Sequence, residues 1–405
     1  MGKSSHFTGQ PIFNQIISFL DKGNIKKIAK GNDAERYVKK FSTYNHLIVM
    51  LFSVFNGYHS IREVILGLLA NAHKLNHLGL SYIVRRSTLS EANMRRTSKV
   101  FEEIYLDLYN AYRGNLTDSR LSMDELKRLY ILDSTTISLF SNILKGVGRN
   151  PKTGKKKGGI KAHTIIKASE HVPCLIRFTA AAVHDHTSLS EIYSLPKGSI
   201  VTFDKGYVDY GEYQRFTECG IVYVTRLKDN AKYKAVKEFD IPDLADSQVL
   251  KDEQIVLTYK DNGEDKQHMA RRIAYWDSEN ERLFEFLSND FSLAAEQIAL
   301  TYRKRWQIEL LFKQLKQNFP LKYFLGDSQN AIEIQIWAAM MANFLLSVIR
   351  SKVKRKWAFS NLVSVVRQTL MGYINLFKFL EDPEGSWNTI IAERKDIYEN
   401  SLFPQ

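Results

Sequence analysis

Three observations predict an α/β chain with helical regions at both ends. Apolar residues recur at helical spacing over residues 11–121. Residues 129–227 run as short apolar stretches of strand length divided by helical ones, and residues 229–290 keep a two-residue alternation, broken by polar turns, before helical spacing returns. At 405 residues, with 44% hydrophobic and 25% charged side chains, the chain is long enough for two or three domains and has the composition of a globular protein.

Helices are expected near residues 11–22, 33–55, 59–73 and 88–113, separated by turns that carry Gly and Asn, so residues 1–124 read as a separate helical domain. Thr88-Leu-Ser-Glu91 fits a capping box. The helix it opens carries Asn93, Arg95, Arg96 and Lys99, with Arg85 and Arg86 just before it. Such a helix suits a DNA groove, and a solvated basic face explains the same charges equally well. Leu129-Tyr-Ile-Leu-Asp133 reads as a strand ending at Asp133. A loop rich in Gly and Lys, with Lys152, Lys155, Lys156 and Lys157, leads to strands at 160–168 and 173–182. A short helix at 188–193, a strand at 199–203 ending on Asp204, a helix at 209–219 and a fifth strand at 220–227 follow. Three strands, a helix and a fourth strand, in that order, match the ribonuclease-H-like fold. Residues 229–290, with strands near 254–260, 268–276 and 282–288 and the turn Asp261-Asn-Gly263, form a β-rich insertion between the two parts of that core, 125–228 and 291–350. A helical region, 351–405, ends the sequence and holds part of the basic stretch 350–357. The apolar stretch 332–349 precedes it.

Lys and Arg number 57 against 44 Asp and Glu, a net charge of +13, with a pI near 9.4. That balance favours a polyanionic partner, nucleic acid or an anionic membrane. The most apolar run, residues 46–55, is too short to span a bilayer, and the sequence opens Met-Gly-Lys-Ser-Ser-His with no apolar leader. Two cysteines, Cys174 and Cys219, without metal-ligand spacing, argue against a disulfide framework or structural zinc and fit a reducing cytoplasm. No Gly-rich loop ending in Lys-Ser or Lys-Thr occurs, so nucleotide hydrolysis has no support.

Around Glu309 the polar residues are patterned. At about 100° per residue, Tyr302, Arg305, Glu309 and Lys316 lie within an arc of roughly 60°. Ile308, Leu311, Phe312, Leu315 and Phe319 fill the neighbouring arc, so the stripe follows the edge of a core-facing surface. Taken alone, Arg305, Glu309 and Lys313 are an ordinary series of i,i+4 ion pairs. Asp133 before Ser134 and Thr135 equally fits an Asx-turn, and Asp204-Lys-Gly206 a plain turn. Together, Asp133, Asp204 and Glu309 occupy the first strand, the end of the fourth and a helix beyond the sheet, where ribonuclease-H-like nucleases place their carboxylates. Carboxylates suit Mg²⁺, a hard ion that takes oxygen donors. Two such ions activate an attacking hydroxyl and stabilise a leaving oxygen in an in-line displacement.

These residues carry a resemblance. The Tyr-x2-Arg-x3-Glu-x6-Lys signature at Tyr302, Arg305, Glu309 and Lys316 resembles that of the cut-and-paste transposases of bacterial insertion sequences, in the fourth insertion-sequence family of the DDE superfamily. Leu132-Asp133-Ser-Thr135 and Asp204-Lys-Gly206-Tyr207 resemble its two aspartate motifs, and Thr225-Arg226-Leu-Lys228-Asp-Asn230 its motif after the fifth strand. The resemblance covers residues 125–350 closely, and the N-terminal helical domain, 1–124, resembles the family's accessory DNA-binding domains more loosely. It implies a catalytic core that binds two Mg²⁺ ions, or Mn²⁺ in their place, through Asp133, Asp204 and Glu309. It further implies binding of double-stranded DNA at terminal inverted repeats, cleavage by way of hairpins, and joining of the 3′-hydroxyls to target DNA by a homodimer in a synaptic complex in the bacterial cytoplasm, at the nucleoid. Tyr302, Arg305 and Lys316 would hold phosphates, as would Arg226 and Lys228, with Arg95 and Arg96 on the N-terminal helix. Hairpin formation uses an aromatic that receives a flipped base. Trp276 is the first candidate and Trp306 the second, while a tryptophan packed in the core is the plainer reading of each.

His163, His184, Asp185 and His186 read as a polar loop before they read as a second metal site. Two other functions compete: a transposase-derived DNA-binding protein that no longer cuts, and another ribonuclease-H-like DNA nuclease such as a junction resolvase.

Overall fold

The computed structural model describes residues 9–117, 124–138, 159–241, 247–385 and 388, in two compact units. One comprises residues 1–116 and 314–405 and is helical; the other comprises residues 117–313 and is built on a sheet. The lysine cluster expected at 152–157 lies outside the described residues.

The helical unit begins with α1 (Ile12–Ile17), α2 (Lys22–Gly31), α3 (Thr43–Asn56), α4 (Ile61–Ala70), α5 (Arg86–Arg95) and α6 (Ser98–Tyr112). The helix expected over 33–55 starts only at Thr43. Asp33 and Tyr37 are in the left-handed region (φ 51° and 62°), which no helix tolerates, and the Ser42 hydroxyl caps α3 by accepting the Asn45 N–H. The helix expected over 88–113 is two helices. Arg96 is extended, Thr97 caps α6, and the capping box at Thr88 is unused because α5 already begins at Arg86.

The sheet unit opens with one turn, α7 (Asp124–Lys127), and then β1 (Leu129–Ser138), β2 (Gly159–Lys167) and β3 (Pro173–Ala180) in antiparallel register. A 3-10 helix, Asp185–Ser194, stands where a short α-helix was expected. β4 (Ile200–Phe203), α8 (Tyr210–Glu218) and β5 (Val222–Arg226) follow, with β4 parallel to both β1 and β5. This is the ribonuclease-H-like order. The three strands expected in the insertion are β7 (Val249–Asp261), β8 (Glu264–Asp277) and β9 (Arg282–Ser288); a fourth, β6 (Tyr233–Glu238), was not expected, and β9 pairs antiparallel with β5. The result is one nine-stranded sheet, ordered β3-β2-β1-β4-β5-β9-β8-β7-β6. Leu132, Val201, Phe203, Tyr223, Ile255 and Leu287, contributed by both halves of the sheet, share one buried cluster with Tyr213 and Phe216 of α8. Buried His268 of β8 ties the halves together, bonding Tyr223 of β5 at 2.8 Å and Gln214 of α8 at 3.0 Å. α9 (Ala295–Arg303) and α10 (Trp306–Asn318) come next.

The chain returns to the helical unit with α11 (Gln329–Lys352), α12 (Phe359–Thr369) and α13 (Leu376–Glu381). α11 is long and apolar enough to cross a membrane, but its apolar window is buried within the unit, where it packs on α3 and α6. Asn330 of α11 explains the break between α5 and α6. Its Nδ2 donates to the carbonyls of Asn93 (2.8 Å) and Arg96 (2.7 Å), and its Oδ1 accepts the Ser98 N–H (2.8 Å). A side chain thereby satisfies backbone groups that two helix ends would otherwise leave open.

Candidate active site

Parallel pairing sets the first part of the site. Leu132 of β1 lies beside Phe203 of β4, so the next residues, Asp133 within β1 and Asp204 just past β4, follow neighbouring positions of adjacent strands. Asp133 is not at a strand end, as expected, but inside β1, opposite Thr164 of β2. Its Oδ1 accepts the Ser134 N–H at 2.7 Å, and Asp204 Oδ2 accepts the Gly206 N–H at 3.2 Å.

The third part comes from the turn between α9 and α10. Sequence periodicity predicts one helix through residues 302–316, but α9 stops at Arg303 and α10 starts at Trp306. Three-residue hydrogen bonds, Arg305 N–H to Tyr302 O (2.9 Å) and Ile308 N–H to Arg305 O (3.2 Å), tighten the chain there. Arg305 then reaches two carboxylates at once: Nη1 lies 3.4 Å from Asp133 Oδ2 and Nη2 2.5 Å from Glu309 Oε1. Burial pushes the Asp133 carboxyl up to about 6, against the pull of the Ser134 N–H and the Arg305 guanidinium, and the charges of Asp204 and Glu309 add to the push. Asp204 and Glu309 are therefore both within electrostatic reach of Asp133, with the Arg305 guanidinium as counter-charge.

The donor set suits a hard divalent cation in kind: all three groups are carboxylates. As the side chains stand, no group of three or more His, Cys, Asp or Glu among the described residues is drawn close enough to hold a metal ion.

Beside the acids lies a cleft of about 690 Å³, lined among others by Arg226, Arg282, Phe284, Tyr302, Arg305 and Trp306. Tyr302 is 8% exposed, packs on Phe286 (5.2 Å between rings) and carries the Arg305 guanidinium over its own ring. Arg226 and Arg282 both stack on Phe284, at 5.0 and 4.9 Å. Neither candidate tryptophan is in a core. Trp306 is 58% exposed and lines the cleft; Trp276 is 40% exposed, paired across the ladder with Leu283, and does not line it. Lys228 is exposed just beyond β5. Lys316 is also exposed, two turns past Glu309 on α10, in the stretch that belongs to the helical unit.

In the helical unit, Arg95 is exposed and pairs with Glu91 at 3.0 Å. Arg96, expected as an outward-facing DNA contact, is instead only 7% exposed and donates from Nε and Nη2 to the carbonyls of Ala34 and Phe41. Asn93 is also buried, bonded to His46 at 2.7 Å.

The stretch expected to be only a polar loop supports β1. Asp185 Oδ1 accepts from Ser134 Oγ at 2.7 Å and lies 3.1 Å from Lys161 Nζ, while His163 is buried against Thr179. The serine that follows Asp133 was the available signal, since a hydroxyl beside an inward-facing carboxylate needs an acceptor.

A family model described as the transposase DDE domain matches residues 124–345, and one described as a domain of unknown function matches residues 8–81. A protein of Sinorhizobium fredii named as a transposase is 32% identical over 264 residues, covering 64% of this chain and 70% of that one. A protein of Geobacillus stearothermophilus named as the transposase for an insertion sequence element is 27% identical over 286 residues, covering 70% and 72%. A cryo-EM structure of the piggyBac transposase synaptic complex with hairpin DNA aligns over 97% of this chain and 85% of that one, at 12% identity and a TM-score of 0.42, a likeness too low to weigh. With the family model spanning more than half of its length, and with the order of strands that carries Asp133 and Asp204, the chain belongs to the DDE transposases of bacterial insertion sequences.

Proposed function

We propose that this transposase binds the terminal inverted repeats of its element as double-stranded DNA, cuts both ends by way of hairpins, and joins the freed 3′-hydroxyls to target DNA. The observation that supports this most is Arg305 joining Asp133 to Glu309, with Asp204 following the strand beside the one that carries Asp133. Divalent metals serve this family, and Mg²⁺, with Mn²⁺ as substitute, is the ion these three carboxylates would hold, two ions supplying activation of the attacking oxygen and neutralisation of the leaving one. Four steps follow in order. A water oxygen bonds to the phosphorus at the element end as the bond to the 3′-oxygen breaks. That 3′-hydroxyl attacks a phosphorus of the opposite strand and closes a hairpin as the flanking DNA leaves on its 3′-oxygen, a second water attacks the same phosphorus and frees the element's 3′-hydroxyl again, and this hydroxyl then attacks a target phosphorus as the target's 3′-oxygen leaves.

The chain's own residues hold the strand in line for these displacements. Arg305 presents a planar fork that fits a phosphate as well as a carboxylate, and it can exchange one for the other. Arg226 and Arg282, held flat on Phe284, offer two further phosphate contacts along the cleft. Tyr302 sets the Arg305 guanidinium by packing beneath it. Trp306, exposed on the cleft wall, takes the extruded base. Joining two ends requires two sites, so the working form is a homodimer on paired ends.

The test is cleavage of a fragment carrying this gene with its native flanks by the full chain with Mg²⁺ or Mn²⁺, beside Glu309→Gln. Cuts at both inverted-repeat boundaries by the unaltered chain, and none by the variant, are expected. Cutting that survives Glu309→Gln sinks the carboxylate assignment, and binding without cutting by either protein makes the chain a DNA-binding relative of such enzymes.

A further inference from the structure

A second cleft, of about 880 Å³, lies wholly within the helical unit, between residues 33–42 and α5. Six cations line it against two carboxylates, Asp33 and Glu91. Two features of its walls are not explained by folding alone. The first is Tyr37. Its ring is 86% exposed on a left-handed residue (φ 62°), with the Arg36 guanidinium 5.1 Å from the ring centroid. A tyrosine in that region of backbone space carries a cost, and it persists only where its surroundings hold it. Here they do: Arg96 donates to the carbonyls of Ala34 (3.3 Å) and Phe41 (2.9 Å), and Glu35 accepts the Thr43 N–H (2.6 Å), so the loop is fastened near both ends.

The second feature is the floor. Arg96 is 7% exposed and lines the cleft, yet its Nη1 has no hydrogen-bond partner; the Tyr82 hydroxyl, which also lines the cleft, has none either. Two buried donors with no acceptor, under a rim that carries Lys39, Lys40, Arg85 and Arg95, describe a place for anionic oxygen.

We propose that this cleft is a DNA-backbone site in the segment that a domain of unknown function matches and at the start of α5 beyond it, with phosphate oxygens on Lys39, Lys40 and Arg85 and a base stacked on the Tyr37 ring. Clustered cations attract a phosphodiester chain, and an exposed aromatic backed by a guanidinium is a sequence-tolerant stacking platform. The site stands on the reading of the chain as DNA-acting, but not on the carboxylates.

The test uses the full chain and fluorescence anisotropy, with a labelled mixed-sequence duplex titrated across a salt series and a labelled mixed-sequence single strand at fixed salt. Lys39→Glu/Lys40→Glu is expected to weaken duplex binding about tenfold or more and to make the slope of log affinity against log salt shallower by about 2, one phosphate per cation lost. Tyr37→Ala is expected to weaken single-strand binding roughly fivefold to a hundredfold, with Tyr37→Phe near the unaltered value. All three side chains are at the surface, so a thermal melt confirms that the variants fold. An unchanged salt slope overturns the phosphate site, and equal binding by Tyr37→Ala overturns the stacking role. The cutting reading is tested by cleavage with Glu309→Gln and this site by binding with the Lys39, Lys40 and Tyr37 variants, so the two proposals fail separately.

Discussion

Burial holds His46 neutral. Desolvation and the neighbouring Arg96 charge pull its pKa down to about 3 from an ordinary 6.5, against the hydrogen bond to Asn93. Because the folded value lies below the unfolded one, this group's stability is complete above about 6.5 and is lost as pH falls toward 3; by pH 5 the loss is about 2 kcal/mol. Urea unfolding at pH 7 and pH 5 should therefore show a drop about 2 kcal/mol larger for the unaltered chain than for His46→Gln. At the candidate site, Trp306→Ala should slow hairpin formation by roughly tenfold or more, the worth of one lost base stack, measured as hairpin yield on pre-nicked end DNA. A loss confined to Trp276→Ala would return that role to the insertion. At this scale the sequence was legible where chemistry limits the choice of residue, as with three carboxylates and an arginine. It was least legible for Arg96, since a cation facing solvent and one clamping two carbonyls look alike in a sequence; only the position of residues 33–42 separates them.

The order of strands could be read from the sequence because each apolar run is short and bounded by turn residues, and because parallel strands buried on both faces are nearly continuous in apolar character. Helix ends were harder. A single turn of 3-10 geometry at Arg305 shifts side-chain phase too little to disturb the apolar periodicity from Ile298 to Phe319, so the stripe looked unbroken. The α5–α6 break was hidden for another reason: Asn330, which satisfies it, is more than two hundred residues away in the chain. Asn330→Ala would leave two carbonyls and one N–H without that partner and should cost about 3 kcal/mol in urea unfolding of the full chain. A loss under half of that would mean that water replaces the amide at little cost.

Two ends must be processed together for an element to move, and the assembly on cleaved-end DNA should sediment as two chains with two duplexes, with the isolated chain smaller. A single chain on a single duplex, under conditions that give joining, would remove the need for a dimer. Within the sheet unit, one pairing has a consequence for engineering. Because β9 closes the edge of β5 from Val224 to Arg226, residues 229–290 are not a cassette that can be lifted out. Excising them would leave β5, a largely buried strand next to the one that ends at Phe203, with its backbone amides open along one side, a template for sticking to other copies. A shortened chain would therefore fail first by aggregation, and a graft from a relative would need to supply a strand in the register of Phe286, Leu287 and Ser288 before any change in DNA specificity could be measured.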